Sequence, residues 1–412
     1  MNRIWGETSI TTRLAFGAAI GLMLVVGFLG MLVVVPVVSP MAGADIADWL
    51  RGLVGPTPVA AVESQSFQIL DAFNRFLSQQ DGGKIGITLA QPASGEQTAS
   101  IPKPAGGSLA VKPQTQGPAP AVRSQTVVKP AAPPPAVTDA VTAAPQIGWI
   151  PYGPPLNGLP VMAQALLTLD PSRPYAGIAL VRMDLSQLQL HMMPGSQEPS
   201  HAPNVIRAIP NMGLTPAADQ AVLMAAFNGG FRAVNGNYGM MFNGVTLIPA
   251  TPGLETLAIY QDGHVAIGAW GTQITQTPDL VSFRQNCPPI IQDGSINPEV
   301  YIDNRVIWGN TVGNREITWR TAVGLSRDGR YLLYAVGNGT SVQTLAQALL
   351  QAGAYNAMQL DINHPFAHFV TYDATGLATP ALRAVPLLNQ MVNEPSIYLV
   401  THQRDYFYLT PK

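Results

Sequence analysis

One stretch of sequence decides the fold: it runs from Arg320-Thr321-Ala322-Val323-Gly324, across the turn Asp328-Gly329, to Leu360-Asp361. The apolar runs 321–325 and 331–336 lie on either side of the Asp-Gly pair, a dipeptide typical of tight hairpin turns. A helical pattern and another apolar run follow. The predicted order of strand, turn, strand, helix and strand brings an arginine and an aspartate toward one cleft.

The helix in this stretch is predicted over residues 340–351. Thr340 and Gln343 match a capping box, and Gly353 favours the end of the helix. Its apolar positions recur at helical spacing: Val342, Leu345, Ala346, Leu349 and Leu350. We expect this face to pack on a central sheet.

Other turn signals add further elements to the C-terminal part of the chain. Asp262-Gly263 predicts a second hairpin, and residues 177–183 and 187–193 predict another pair of strands. Thr215-Pro216 predicts a helix that continues to Ala225, since proline is favoured at the first helical position. The pattern therefore predicts a mixed α/β, β-rich globular domain.

The N-terminus predicts a membrane anchor. Residues 14–38 contain no charged side chain, and roughly 25 residues at about 1.5 Å each reach across a hydrocarbon core of about 30 Å. Arg3 and Arg13 precede this run, whereas Asp45 and Asp48 follow it. Because cationic flanks stay in the cytoplasm, we expect a cytoplasmic tail and an extracytoplasmic C-terminal domain.

A cleaved signal peptide is the alternative for this segment, with Ala42-Gly43-Ala44 as the cleavage site. The apolar part of a signal peptide usually has about 7–15 residues. The run here is longer, which favours an anchor in a cell membrane over a removed leader.

The chain divides into five predicted segments. Residues 1–13 form the cytoplasmic tail and residues 14–38 the transmembrane helix. Residues 39–81 are a juxtamembrane segment with a short amphipathic helix, whose apolar positions are Ile69, Leu70, Phe73, Phe76 and Leu77. Residues 82–148 are rich in proline and alanine and predict a disordered linker that acts as a stalk. Residues 149–412 form the globular domain.

Composition excludes several classes of function. The chain has 412 residues, a net charge of −2 and 11% charged residues, so it lacks the basic surface that attracts nucleic acid. Its single cysteine, Cys287, cannot form an intrachain disulfide. The motifs of P-loop enzymes, zincins and α/β-hydrolases are absent from the sequence.

Two glycine-containing turns are candidate ligand contacts. Asn228-Gly229-Gly230 follows an apolar run, and glycines there let the backbone approach a ligand closely, with Asn228 able to hydrogen-bond a sugar. A plain loop turn is the alternative. Asp293 lies in Gln292-Asp293-Gly294 and is either a solvated turn residue or an acid at the cleft edge.

Charged and imidazole side chains near the deciding stretch are candidate catalytic residues. Arg320 has the planar fork that binds phosphate, or else it pairs with Glu316 at the surface. Asp361 ends an apolar strand, where catalytic carboxylates often lie, or else it caps the turn that follows. His364 is a candidate acid–base group beside Asp361. An extended chain would separate His364 and His368 by about 13 Å, which argues against a shared metal.

The ordered set Asn228-Gly229-Gly230-Phe231, Arg320 to Gly324, the Asp-Gly hairpin, the helix and Leu360-Asp361 resembles the phosphodiester glycosidase family, including its bacterial exopolysaccharide-associated branch. The resemblance covers about residues 179–371. It implies hydrolysis of a sugar linked through its anomeric carbon to a phosphodiester, in a cell-envelope glycan or related molecule. It implies catalytic roles for Asp361 and Arg320 and substrate contacts from Asn228, Gly229 and Gly230, to which we add His364, Asp293 and Asn363.

One departure leaves two functions open. In family members the strand-end aspartate usually begins a run of the form Asp-Gly-Gly-Gly-Ser, whereas this chain has Asp361-Ile362-Asn363-His364-Pro365. Backbone N–H groups in a glycine loop can reach a phosphate, and Pro365 has none. The alternative to an enzyme is therefore a catalytically inactive envelope module that binds glycan or a partner protein. The family's metal ligands have no identifiable counterparts, although a divalent cation such as Ca²⁺ is a candidate cofactor.

Overall fold

The computed structural model describes residues 40–80, 86–90, 98–100, 147–303 without positions 201, 203, 205, 207, 208 and 210, and residues 307–309, 316–373 and 381–412. The predicted transmembrane segment 14–38 and most of the predicted linker 82–148 lie outside these residues. Within the described ranges, no helix is both long and apolar enough to cross a membrane.

Strands are the dominant elements. In chain order they are β1 Thr98–Ser100, β2 Ile150–Pro151, β3 Met162–Thr168, β4 Gly177–Asp184, β5 Leu188–Met193, β6 Ala225–Asn228, β7 Met240–Phe242, β8 Val245–Ile248, β9 Glu255–Tyr260, β10 Val265–Ala269, β11 Leu280–Gln285, β12 Ile291–Gln292, β13 Ser295–Ile296, β14 Thr318–Ser326, β15 Tyr331–Thr340, β16 Ala354–Gln359, β17 Phe369–Asp373, β18 Ala381–Pro386 and β19 Tyr406–Pro411.

Helices are few. The α-helices are α1 Pro40–Val54, α2 Pro56–Gln80, α3 Ala217–Gln220 and α4 Val342–Gln351. Short 3-10 helices cover Ala233–Asn235, Pro298–Tyr301, His364–Phe366 and Pro395–Leu399. The prediction of a β-rich globular domain is confirmed.

Three antiparallel sheets form the domain. The largest has the order β13-β12-β16-β14-β15-β4-β3-β2, the second β1-β18-β17-β6-β19-β5, and the smallest β10-β9-β11-β7-β8. The two predicted Asp-Gly hairpins are confirmed: β9 pairs with β10 around Asp262-Gly263, and β14 pairs with β15 around Asp328-Gly329.

Successive side chains of the central strands point to opposite faces of the sheet, so the core has two layers. Ala179 and Val181 of β4 face the six-stranded sheet, where the Phe227 ring lies 5.2 Å from the ring of Tyr334 in the opposite sheet. Ile178 and Leu180 face the other way and pack with α4. The eight-stranded sheet is therefore covered on one side by a second sheet and on the other by a helix.

Helix α4 packs on the central sheet as predicted, with small differences at its ends. Its N-cap is Ser341, whose hydroxyl accepts a 3.2 Å hydrogen bond from the Thr344 N–H. The N-cap therefore lies one residue after Thr340, where the predicted capping box begins. Ala348 is buried in the packed face, whereas Leu350 is 36% exposed. Leu350 therefore lies at the edge of that face.

Two predictions were right only in part: one pair of strands is present but not paired, and one helix is much shorter than predicted. Residues 177–183 and 187–193 form strands β4 and β5, but these belong to different sheets, because β4 pairs with β3 and β15 while β5 pairs with β19. The helix predicted from Thr215 to Ala225 is limited to α3. Residues 221–224 form a turn, and strand β6 begins at Ala225, the last residue of the predicted helix. Strand β6 lies between β17 and β19, and these pairings override the local helical preference.

Parts of the chain predicted to lie before the domain pack against it. Asp71 of α2 forms an ion pair with Arg173, with 2.8 Å between Oδ1 and Nε. From the predicted linker, Ile87 is buried in the main core, and β1 pairs with β18. The linker prediction therefore does not hold for these residues. Helix α1 lies beside the 3-10 helix His364–Phe366.

Candidate active site

A small pocket opens where three parts of the chain meet. Its empty volume of about 260 Å³ includes space open to solvent, and the enclosed part holds about one water molecule. Its lining comes from the end of β6, from the loop after β16, and from the segment before β19: Asn228, Gly229, Gly230, Asp361, Phe366, His368, Asn393, Ile397, Tyr398, His402, Arg404 and Asp405. The enclosed space is therefore too small for a sugar ring, which would have to bind at the open mouth of the pocket.

Asn228 is fixed in the pocket wall by hydrogen bonds within the protein. Its Oδ1 accepts from the Tyr334 hydroxyl at 2.8 Å and from the His368 N–H at 3.2 Å. Its Nδ2 donates to Thr321 Oγ1 at 2.9 Å and to the Gly229 carbonyl at 3.0 Å. An amide has two donors and two acceptor lone pairs. The side chain is thus fully used in joining the two large sheets.

The two glycines after Asn228 make room for a buried ion pair. A β-carbon at Gly229 would lie 2.0 Å from Asp405 Oδ2, and one at Gly230 would lie 3.0 Å from the Arg284 guanidinium carbon. Arg284 Nε donates to Asp405 Oδ2 at 2.8 Å, and the Gly230 N–H donates to the same oxygen at 3.1 Å. The glycines therefore allow close approach of protein groups beneath the pocket.

Asp361 and Arg404 form the charged centre of the pocket. Arg404 donates to Asp361 Oδ2 at 2.6 Å, and the Asn363 N–H donates to Oδ1 at 3.0 Å. Burial raises the pKa of Asp361; Arg404 opposes the rise, and Asp405 adds to it. The net direction is upward, so this carboxyl takes up a proton more readily than an ordinary aspartate.

Arg404 is held so that its guanidinium lies in the pocket wall. The guanidinium carbon lies 3.6 Å from the centre of the Phe366 ring, a cation–π distance. Its side chain is 9% exposed, against 2% for that of Asp361. The stacking fixes the plane of the fork, which is the geometry that recognises phosphate or carboxylate oxygens.

His368 is the least satisfied polar group in the pocket. It is 1% exposed, and neither ring nitrogen makes a hydrogen bond. Burial and, to a smaller extent, nearby His402 lower its pKa to about 3, while the backbone of Asn393 acts in the opposite direction. The ring is therefore neutral near pH 7 and offers one donor and one acceptor.

Arg320 does not line this pocket. It is fully buried on the α4 side of the eight-stranded sheet, donating to Gln359 Oε1 at 2.9 Å and to the Glu316 carbonyl at 3.2 Å. Burial lowers its pKa to about 10. Because side chains alternate along a strand, Thr321 faces the pocket instead, and its hydroxyl donates to the Asp361 carbonyl at 2.6 Å.

Three other predicted site residues also lie away from the pocket lining. His364 begins a 3-10 helix where an extended chain was expected, and its ring stacks on Trp319 at 4.2 Å. Burial lowers the pKa of His364. Asp293 is an exposed turn residue between β12 and β13. Asn363 contributes only its backbone N–H, to Asp361.

The donor set does not support a divalent cation in this pocket. Across the part of the chain that the structure describes, no three side chains of His, Cys, Asp or Glu converge as metal ligands. The two pocket carboxylates are already engaged by Arg404 and Arg284. We therefore assign no step to the candidate Ca²⁺.

Sequence reasoning missed Arg404, Asp405 and Arg284, and it considered His368 only as a metal ligand beside His364. The run Arg404-Asp405 lies directly before the aromatic strand β19, but Arg315-Glu316 and Arg327-Asp328 are similar pairs, so it was no distinctive signal. Arg284 was hidden in an otherwise ordinary strand. Nothing in the sequence shows that a segment near residue 404 returns to contact Asp361.

The geometry can now be compared with known proteins. Residues 221–361 match the phosphodiester glycosidase family. The resemblance predicted from the motifs is thus confirmed, and the match extends from the turn before β6 to Asp361 in the pocket. No match was found among curated protein sequences.

Three solved structures are similar to this chain at low identity. The zebrafish N-acetylglucosamine-1-phosphodiester alpha-N-acetylglucosaminidase catalytic domain, auto-inhibited by its pro-peptide, is 15% identical; the alignment covers 63% of this chain and 87% of that one, with a TM-score of 0.39. A hypothetical Synechocystis protein is 11% identical (66% and 64% covered, TM-score 0.33). A putative exported protein from Burkholderia pseudomallei is 11% identical (57% and 74% covered, TM-score 0.31).

Proposed function

We propose that this protein is a hydrolase that cleaves sugar phosphodiesters at the anomeric carbon, and that residues 14–38 anchor it in a membrane with its domain outside the cytoplasm. The observation that carries the proposal is the Asp361–Arg404 pair, at the end of the segment that matches phosphodiester glycosidases. The substrate would be a cell-envelope glycan or exopolysaccharide component.

Arg404 would hold the phosphodiester. A phosphate oxygen can take a hydrogen bond from the guanidinium fork while the Phe366 ring keeps the fork in place. The residue is mostly buried, and charge–charge attraction is stronger there than in water. This is the role that sequence reasoning gave to Arg320, transferred to a residue in the pocket.

Asp361 would act as the general base. Water attacks the anomeric carbon, its proton passes to the Asp361 carboxylate, and the bond between that carbon and the phosphate oxygen breaks. The bonding electrons leave with the phosphate, which departs as a phosphomonoester. Because such a leaving group is stable as an anion, proton donation to it matters less than activation of the water. A pKa raised toward neutrality makes the carboxylate a stronger base.

His368 would bind the sugar. A buried polar group without a partner costs about 1–3 kcal/mol, and both ring nitrogens of His368 are in this state. One sugar hydroxyl can accept from the protonated ring nitrogen, and a second group can donate to the other nitrogen. The pocket would then prefer a ligand with a hydroxyl or amide over an apolar group of the same size.

A second candidate is a catalytically inactive module that binds glycan or a partner protein. The observation that favours it is that the polar groups of the pocket already have partners within the protein. Both Asp361 oxygens accept hydrogen bonds, and the Gly230 N–H donates to Asp405. In that case the Asp361–Arg404 pair would close the pocket and hold its shape.

Hydrolysis in ¹⁸O-labelled water separates these candidates. The full chain in detergent micelles is incubated with an N-acetylglucosamine 1-phosphodiester, beside Asp361→Asn and a surface control, Asp262→Asn. The proposal predicts label in the released sugar and loss of release only in Asp361→Asn. Label in the phosphate would indicate cleavage of the phosphorus–oxygen bond and refute the mechanism. Binding without release would favour the inactive module.

A further inference from the structure

Helix α2 is amphipathic in the opposite sense from an ordinary surface helix. Its polar positions Ser64, Asp71 and Ser78, seven residues apart, are each no more than 6% exposed. Its large apolar side chains Ile69 and Phe73 are 58% and 55% exposed. A surface helix of a water-soluble domain normally buries its apolar stripe, so this orientation requires a partner on the outer side.

The polar side of α2 is firmly attached to the domain. Asp71 accepts from Arg173 at 2.8 and 2.9 Å and also from the Tyr175 hydroxyl. Burial would raise the pKa of Asp71, but these hydrogen bonds lower it below 3.8. The Asp71 carboxylate thus attaches the polar side of α2 to the domain, and this leaves the apolar side of the helix facing outward.

Helix α1, which packs against α2, also carries exposed apolar side chains. Six such side chains on the two helices are more than half exposed: Trp49, Leu53, Val54, Ile69, Phe73 and Phe76. At such exposures the three aromatic side chains together present roughly 300–400 Å² of apolar surface. We call these six residues the apolar face.

Two features indicate what covers this face. The uncharged run 14–38, predicted to cross a membrane, ends two residues before α1 begins at Pro40. The two carboxylates of α2, Glu63 and Asp71, are both in ion pairs with arginines. Helix α1 therefore begins close in sequence to the predicted point of membrane exit, and both α2 carboxylates are paired with arginines.

We infer that the apolar face lies in the bilayer interface, so that α1 and α2 hold the globular domain directly on the membrane surface. Aromatic and aliphatic side chains on an interfacial helix insert at the boundary between headgroups and acyl chains. The predicted linker 82–148 then connects two parts of one docked body and does not act as a stalk between membrane and domain. This inference rests on the proposed membrane anchor.

Site-directed spin labelling measures directly whether the apolar face lies in the bilayer. Cys287 is fully buried, so a thiol-specific label attaches to an introduced cysteine. We would label Phe73→Cys and a control, the exposed turn position Thr275→Cys, in the full chain, and reconstitute each in phosphatidylcholine–phosphatidylglycerol vesicles. The expected result is a several-fold higher ratio of collisions with O₂ to collisions with a water-soluble nickel chelate at position 73 than at 275.

Every other outcome identifies a different occupant and overturns the inference. Equal ratios at both positions would mean that the face is in water. Spin–spin broadening at position 73 that disappears on dilution with unlabelled chains would mean that a second copy covers it. Low collision rates with both reagents, in vesicles and in micelles alike, would mean that a segment of the same chain covers it. The collision ratio does not depend on hydrolysis, so a negative result here can be distinguished from the absence of the proposed activity.

Discussion

Replacing Asp405 with asparagine would test how the pocket is supported from below. Asp405 and Arg284 both have side chains 2% exposed, and Arg284 Nε lies 2.8 Å from Asp405 Oδ2. Asparagine keeps the shape of the side chain and removes its charge. Arg284 would then remain buried with hydrogen bonds to the Phe231 and Gln285 carbonyls and without its counter-ion.

The expected loss is large. Breaking a buried ion pair by removing one partner costs about 3–5 kcal/mol. The asparagine oxygen can still accept a hydrogen bond from Arg284 or from the Gly230 N–H, which places the estimate near the lower end, about 3 kcal/mol. For a domain of this size, that free energy lowers the melting temperature by roughly 6–12 °C.

Thermal unfolding followed by circular dichroism at pH 7 would measure this difference. Asp262→Asn is the matched control, because Asp262 lies exposed in the β9–β10 turn, and it should leave the melting temperature nearly unchanged. If Asp405→Asn melted within 2 °C or so of the wild type, the ion pair would contribute little, and the account of why Gly229 and Gly230 are needed would be refuted.

Three further results are expected. The kcat/KM for a sugar phosphodiester should fall as the pH drops through the raised pKa of Asp361, since only the ionised carboxylate accepts a proton; an acidic limb at the ordinary value of about 4 would contradict this role. The melting temperature should fall as the pH drops from 6.5 toward about 3, because His368 binds a proton in the unfolded chain but stays neutral when buried. The variant His368→Phe should reduce this dependence of melting temperature on pH, and an unchanged dependence would contradict the explanation. Gly229→Ala should lower the melting temperature far more than Gly148→Ala, where a β-carbon meets no atom within 4 Å; equal shifts would count against the close packing at Gly229.

The sequence predicted the local elements around the site well. The two Asp-Gly hairpins, helix α4 and the strand that ends before Asp361 all depend on short-range signals: turn dipeptides, a capped amphipathic repeat and an apolar run. Each signal acts over a few residues, which is the range that periodicity and turn chemistry report.

What the sequence did not predict depends on contacts between distant segments. Strand β6 is fixed by its neighbours β17 and β19, and this pairing ends the helix expected from Thr215. Arg320 precedes the apolar strand at a plausible place for a ligand, yet alternation in β14 turns it to the α4 side. Arg404 reaches Asp361 only because the segment before β19 folds back to the loop after β16. Local sequence patterns do not indicate which distant segments come together.

The most direct test of the central claim is the steady-state release of N-acetylglucosamine from a 1-phosphodiester by the full chain, Asp361→Asn and Arg404→Gln. The account predicts release by the wild type, a decrease in kcat on the order of 10²–10⁴-fold for Asp361→Asn, and a raised KM for Arg404→Gln, with all three proteins folded. Turnover by Asp361→Asn equal to the wild type, or no release by the folded wild type, would contradict it.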